Sequence, residues 1–194
     1  SGFKDALTGI YLKLGTQTLY AGDLTYAYLD ELAGLYSDYP GYNTNAVFDQ
    51  SIVFDYENMF LSKKNGIYST MYNIIANINN FLEYVDKNKD VLVTERYYET
   101  MKGEALGLRA FLHFDLLRMF GPVYKEHPAS KAIPYRTTFD KDATPVLPAS
   151  EVVDAILKDL NDAEKLLKEN DPLDFFTDQM GEELTEINQF LINR

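Results

Sequence analysis

Lys102-Gly-Glu-Ala-Leu-Gly-Leu-Arg-Ala-Phe-Leu-His-Phe-Asp-Leu-Leu-Arg-Met-Phe-Gly-Pro-Val-Tyr124 reads as the body and end of one long amphipathic helix, stopped by Gly121 and Pro122. Thr94 is the expected N-cap, with Glu95 and Glu99 placed to meet the positive end of the helix dipole. From there to Phe120, about twenty-five residues at helical rise span ~37 Å. Gly103, Gly107 and Ala110 fall on one face at steps of four and three. Residues this small let a second helix approach closely, and Leu106, Phe111, Phe114 and Leu117 are expected to pack around that contact. In a membrane the same spacing would promote dimerisation, but the interspersed charges exclude a span.

Outward from this helix the pattern stays helical. Residues 64–86 carry an apolar stripe of Ile67, Met71, Ile74, Ile78, Phe81 and Val85, widened by Ile75 and Leu82. Asn73, Asn77, Asn79 and Asn80 are unusual there, because Asn competes for backbone hydrogen bonds. Asn77 and Asn80 lie one turn apart and are expected to hold the backbone of a neighbouring loop, with ligand binding as the alternative. Residues 3–16 read as a first helix through Phe3, Leu7, Ile10, Tyr11 and Leu14, ended by Gly15 and Thr16. Residues 17–62 have no clean stripe and are expected to hold short helical pieces around the turn-rich stretch Ser37-Asp-Tyr-Pro-Gly-Tyr-Asn-Thr-Asn45. Five prolines between 122 and 148 bar helix from most of residues 121–149. Ser150 then caps a helix over 151–169 with the seam Val153, Ile156, Leu160, Ala163 and Leu167. Residues 173–178 read as loop and 181–192 as a last short helix through Leu184, Ile187 and Leu191.

The expected fold is therefore all-α: antiparallel helix pairs, 64–86 with 95–120 and 150–169 with something following, in a tetratricopeptide-like α-α superhelix with long irregular loops. The length allows one sizeable core, and 1–194 is taken as a single helical domain. With 30 acidic against 18 basic residues the net charge is −12, and no Lys/Arg stripe interrupts it, so nucleic acid is excluded as a partner and anionic lipid is disfavoured. There is no cysteine, hence no disulfide or thiolate metal site within this sequence. No apolar run reaches membrane-span length, and the opening Ser1-Gly2 is expected to be a trimmed start.

Motifs for chemistry are sparse. His113 and His127 are too few and too far apart to make a metal site, and His113 is expected to be a packed, hydrogen-bonded side chain. Asp86-Lys-Asn-Lys-Asp90 imitates the opening of a calcium loop, but Val91 stands where glycine is needed and Tyr97 where the closing glutamate should be. Phosphate-loop, nucleophile-elbow and dinucleotide-binding glycine patterns are lacking, so neither cofactor nor metal is expected. Glu104, Arg109, Asp115 and Arg118 are expected to fix helix packing through charged hydrogen bonds rather than to catalyse.

The central helix also carries a resemblance. Gly103-Glu-Ala, Arg109-Ala-Phe, Phe114-Asp-Leu-Leu-Arg118 and Phe120-Gly121 resemble the signature helix of the SusD/RagB family, outer-membrane lipoproteins that capture nutrients, usually glycans. Other blocks agree in order: Gly2-Phe3-Lys4-Asp5-Ala6-Leu7-Thr8-Gly9-Ile10-Tyr11; Tyr72-Asn-Ile-Ile-Ala-Asn-Ile-Asn-Asn-Phe81; Phe120-Gly-Pro-Val123 with Ile133-Pro-Tyr135; and Pro148-Ala-Ser-Glu-Val-Val153 with Ile156 to Leu167. Pro122 departs from the family, in which an acidic residue often follows the glycine. The resemblance implies the N-terminal portion of a longer, non-catalytic protein of the outer-membrane surface. A lipid anchor upstream of this sequence would hold it there, and an oligosaccharide or other nutrient would pass to a SusC-like TonB-dependent transporter.

For ligand binding the candidates are Tyr39, Tyr42, Asn43 and Asn45. Tyrosine rings stack on the apolar faces of sugars and amides pair with the hydroxyl rims; in glycan-binding relatives, loops between early helices contribute to the site. A plain surface turn is the competing reading of that loop. For the whole chain the alternative is a tetratricopeptide-like protein–protein interaction adaptor that holds peptides in a helical groove. A hydrolase has only scattered acidic residues behind it.

Overall fold

The computed structural model describes residues 2–35, 65–94 and 96–170. It is mostly helical, as the sequence leads one to expect. The described elements are α1 (Gly2–Leu14), α2 (Tyr28–Leu32), α3 (Asn65–Lys87), α4 (Tyr97–Phe120), β1 (Lys131–Pro134), β2 (Val146–Pro148) and α5 (Ala149–Asn170), with a single 3-10 turn over Lys89–Val91. The chain divides into two compact units, residues 8–74 and residues 75–194 together with 1–7. Each has its own packing. The loop carrying Tyr39, Tyr42, Asn43 and Asn45 and the expected helix over 181–192 lie outside the described residues.

In the unit of residues 8–74, Ile10 and Leu14 of α1, then Leu19, Leu24 and Tyr28, are buried. Helix α1 stops where expected: the Gly15 amide still donates to Tyr11, and the Thr16 hydroxyl bonds the Lys13 carbonyl at 3.0 Å. Between α1 and α2 the chain runs through successive turns. The Asp23 amide donates to the Gln17 carbonyl at 2.9 Å and the Leu24 amide to Leu19 at 2.9 Å. Gly22 is required there, since a β-carbon would collide with the Gln17 carbonyl oxygen.

The larger unit is built around α4. Of the stripe read for α3, Ile75, Ile78, Phe81, Leu82 and Val85 are buried in this unit, and Ile67, Met71 and Ile74 are buried in the smaller one, each such side chain contributing about 1.5–3 kcal/mol relative to exposure. Helices α3 and α4 run antiparallel, for Asn79 meets Arg109 while Asp86 meets Tyr98 and Lys102. Helices α4 and α5 are antiparallel as well: Arg109 meets Asp159, and Leu166 and Leu167 pack on Gly103. The 150–169 helix thus pairs backward with α4, and the following partner expected for it lies outside the described residues. A β-carbon on Gly103 would stand 2.8 Å from Leu167 Cγ and 3.1 Å from Leu166 Cβ, so the close approach read from the small residues is real at this position. At Gly107 none is seen among the described residues, for none of their atoms lies within 4 Å of the same probe.

Three local expectations are corrected. Helix α4 begins at Tyr97, with Arg96 as its N-cap residue in the left-handed region (φ 66°), instead of at a Thr94 cap. The Thr94 carbonyl instead closes a turn onto the Tyr97 amide. Phe111 and Phe114 are 41% and 46% exposed, whereas Leu106 and Leu117 are buried. Phe111, Phe114 and Arg118 recur at helical spacing as the outward stripe of a helix otherwise buried on several sides, with the Arg118 guanidinium over the Phe114 ring. In α5 the buried seam is Ala149, Val152, Ile156, Asp159 and Ala163, and Leu160 is 44% exposed. A seam that passes through an aspartate is turned away from the one an apolar count selects.

The proline-rich connection is not wholly irregular. Strands β1 and β2 pair antiparallel, Lys131 opposite Pro148 and Pro134 opposite Val146. Pro134 and Pro148 end their strands, where the lost amide donor interrupts least. The Ala149 amide donates to the Ser130 carbonyl at 3.0 Å and the Ser150 amide to Pro128 at 2.8 Å, so the first free amides of α5 are satisfied by this ribbon. That docking starts α5 at Ala149, ahead of the expected Ser150 cap.

Candidate functional site

Two of the polar residues that the sequence marks out in the signature helix, Arg109 and His113, converge below the ribbon exit. Arg109 sits on the α4 face turned to α5, and its guanidinium forks onto Asp159: Nε to Oδ2 at 2.7 Å and Nη2 to Oδ1 at 2.8 Å. Its Nη1 donates to Asn79 Oδ1 on α3 at 3.0 Å. The amide nitrogen of Asn79 reaches the ribbon exit, donating to the Arg136 carbonyl at 3.1 Å and the Thr138 carbonyl at 3.2 Å. Tyr135 donates its hydroxyl to Asp159 Oδ2 at 2.6 Å. One buried node thereby ties three helices and a loop together.

His113 closes the node. One turn after Arg109, its Nδ1–H donates to the Arg109 carbonyl at 2.8 Å, and its Nε2 accepts the Arg136 amide at 3.1 Å. Those two partners fix the neutral Nδ1–H tautomer. The Tyr135 ring stacks on the imidazole at 3.9 Å between centroids. Burial, reinforced by the nearby Arg109 charge, pushes the imidazole down to about 4, against the opposing pull of the Arg109 carbonyl and Asp159. Burial also raises the Tyr135 phenol, and the adjacent Asp159 carboxylate raises it further. For Arg109, burial works against the charge, but the hydrogen bond and attraction of Asp159 prevail and leave it above its ordinary value.

Asn79, Arg109, His113, Tyr135 and Asp159 are all buried. This is the chemistry of a clamp. Charge is kept inside only because geometry is good and partners are matched. The clamp shapes the loop that leaves it. Arg136 Nη2 donates to the Asp140 carbonyl at 2.9 Å and its carboxylate at 3.3 Å, and the Asp142 amide donates to that carboxylate at 3.0 Å. The Thr138 hydroxyl, then the Asp142 amide, hold the Asp140 carboxyl below its ordinary range. Phe139 is exposed at the tip of this anchored turn.

A second polar cluster joins the far ends of α3 and α4. Lys102 Nζ contacts Asp86 Oδ1 at 2.6 Å and the Tyr98 hydroxyl at 3.0 Å, while Lys89 lies 4.3 Å above the Tyr98 ring. Burial draws the Lys102 ammonium down, but its bonds to Asp86 and Tyr98 outweigh this and hold it above its ordinary value. The stretch resembling a calcium loop therefore spends its first aspartate on a lysine. Among the described residues, no group of three or more His, Asp or Glu side chains is placed to hold a metal, and no helix is long and apolar enough to cross a membrane.

The packing role read for Arg109 and His113 is what the structure shows. Asp115 pairs with Arg118 at 3.1 Å, the arginine exposed and the aspartate largely covered, and Glu104 is buried. Asn79, which the spacing argument for Asn77 and Asn80 passed over, reaches the loop backbone at the Arg136 and Thr138 carbonyls. Asp159 and Tyr135 were not anticipated. A charge in line with Val152, Ile156 and Ala163 was the available signal for Asp159, and Ile133-Pro134-Tyr135, apolar residues inside a polar connection, was the signal for Tyr135. Tyr39, Tyr42, Asn43 and Asn45 lie outside the described residues.

A family model described as SusD-like, starch-binding and associating with the outer membrane, matches residues 16–177. Among solved structures, the chain is similar to a SusD superfamily protein from Bacteroides thetaiotaomicron VPI-5482 at 18% identity and a TM-score of 0.66, over 85% of this chain and 36% of that one. The likeness shows a shared fold, and this chain spans little more than a third of that protein's length. No curated protein sequence matches.

Proposed function

The chain belongs to the SusD-like family, and from that premise we propose that it is the N-terminal part of a non-catalytic glycan-binding protein of the outer-membrane surface. The observation that carries this reading is the match of a starch-binding, outer-membrane-associated family over residues 16–177. In the proposed arrangement a lipid anchor upstream of this sequence holds the protein at the membrane. The bound oligosaccharide passes to a SusC-like TonB-dependent transporter. The clamp supports the reading without touching sugar: it makes the signature helix part of a rigid frame, and rigid frames let loops bind with little ordering cost.

Within that reading, Tyr39 and Tyr42 stack on a sugar ring while Asn43 and Asn45 pair with its hydroxyls. The test is isothermal titration of the full-length natural protein with maltoheptaose and a panel of other oligosaccharides. Joint replacement Tyr39→Ala and Tyr42→Ala is expected to weaken binding by roughly ten-fold or more, the equivalent of about 1.4 kcal/mol. Unchanged affinity would remove this loop from the site. A full-length protein that binds none of the panel would sink the glycan reading itself.

A further inference from the structure

His113 is used by the fold in one protonation state only. Its Nδ1–H is committed to the Arg109 carbonyl, so the ring cannot turn, and the Tyr135 ring at 3.9 Å fixes its plane. Its Nε2 lone pair is the acceptor for the Arg136 amide at 3.1 Å. A proton on Nε2 would set two N–H groups against each other, and the bond to the loop is the one that must break.

Among the described residues the charges beside the ring oppose one another, Arg109 acting against that proton and Asp159 for it. From α4 comes the Arg109 guanidinium, and from the ribbon exit come the Tyr135 hydroxyl and Arg136. Helix α5 offers Asp159, whose two oxygens already accept from Arg109 and Tyr135. Helix α3 brings the neutral Asn79.

We propose that the His113–Arg136 bond is an acid-loosened latch: protonation of His113 releases the Arg136 amide from α4, while Asn79 still holds the Arg136 and Thr138 carbonyls, Tyr135 still donates to Asp159, and α3, α4 and α5 stay packed. The anchored turn with Phe139 at its tip would be the part of the surface that responds. The direction follows from linkage. A ring held at about 4 when closed and near 6.5 when free binds its proton preferentially in the open form, so opening gains as pH falls from 6.5 toward 4. With those two values, the opening constant at Arg136 rises roughly twenty-fold between pH 7 and pH 5.

Amide hydrogen exchange on the whole chain, corrected for intrinsic rates, tests this at the two pH values with and without 1 M urea. The latch predicts the twenty-fold rise at the Arg136 amide, insensitive to urea because the opening is local, while core amides such as Ile78 slow and follow urea. It also predicts loss of the rise in His113→Gln, whose side-chain oxygen can accept the Arg136 amide but does not titrate. An Arg136 amide that shows no rise, or that follows urea as steeply as Ile78, overturns the proposal. The wild-type comparison decides alone should the glutamine variant fail to fold.

Discussion

Two of the contacts that join α4 to α5 are made of opposite materials. At Gly103 the helices meet because a side chain is missing: Leu166 and Leu167 occupy the space that a β-carbon would need. Six residues further on they meet through a buried ion pair, Arg109 with Asp159, whose partners extend to α3 and the ribbon exit. The first contact is steric and tolerates no added volume. The second is electrostatic and tolerates no missing partner. A close helix pair can thus be specified twice, by absence and by charge, and the charged contact alone also positions a loop.

The sharpest way to break the comparison is at the charged contact. Asp159→Ala leaves the Arg109 guanidinium buried without its carboxylate and should cost about 3–5 kcal/mol in chemical denaturation. A loss below ~1 kcal/mol would mean that water replaces the carboxylate and that the node is softer than its geometry. Gly103→Val tests the steric contact. Its branch would drive into Leu167 Cγ and Leu166 Cβ, with an expected loss of about 1–3 kcal/mol. Gly107→Ala separates close contact from mere composition. With no atom of the described residues within 4 Å of the new β-carbon, better helix propensity should win and raise stability by about 0.5–1 kcal/mol. Destabilisation at Gly107 would show that this position, too, is a notch.

How legible each part was follows from the same contrast. Helix α3 is apolar on one side, and its stripe from Ile67 to Val85 is buried as its periodicity leads one to expect. Helix α4 is buried on several sides, so its periodicity carries little information about which face meets what. Its small residues predicted the notch at Gly103 but not the open space at Gly107, and its large ones wrongly suggested that Phe111 and Phe114 were covered. The seam of α5 was displaced because Asp159 occupies a core position, and an apolar count passes over a charge whose partner is fifty residues away in sequence. The ribbon was hidden by its prolines, which rule out helix but say nothing of a two-stranded pairing of three or four residues. Family membership was legible because it rests on the order of several blocks, not on the geometry of any one.

The central claim is that Arg109 and Asp159 act as one unit that organises the α4–α5 seam and the loop above it. A double-mutant cycle with Arg109→Leu and Asp159→Leu, read by denaturant unfolding of each variant, tests it most directly. The account predicts that the double variant loses markedly less than the sum of the two singles, with a coupling energy of about 2 kcal/mol, because removing both charges leaves neither orphaned. Losses that add to within ~0.5 kcal/mol would contradict it, since the two residues would then be stabilising the fold independently.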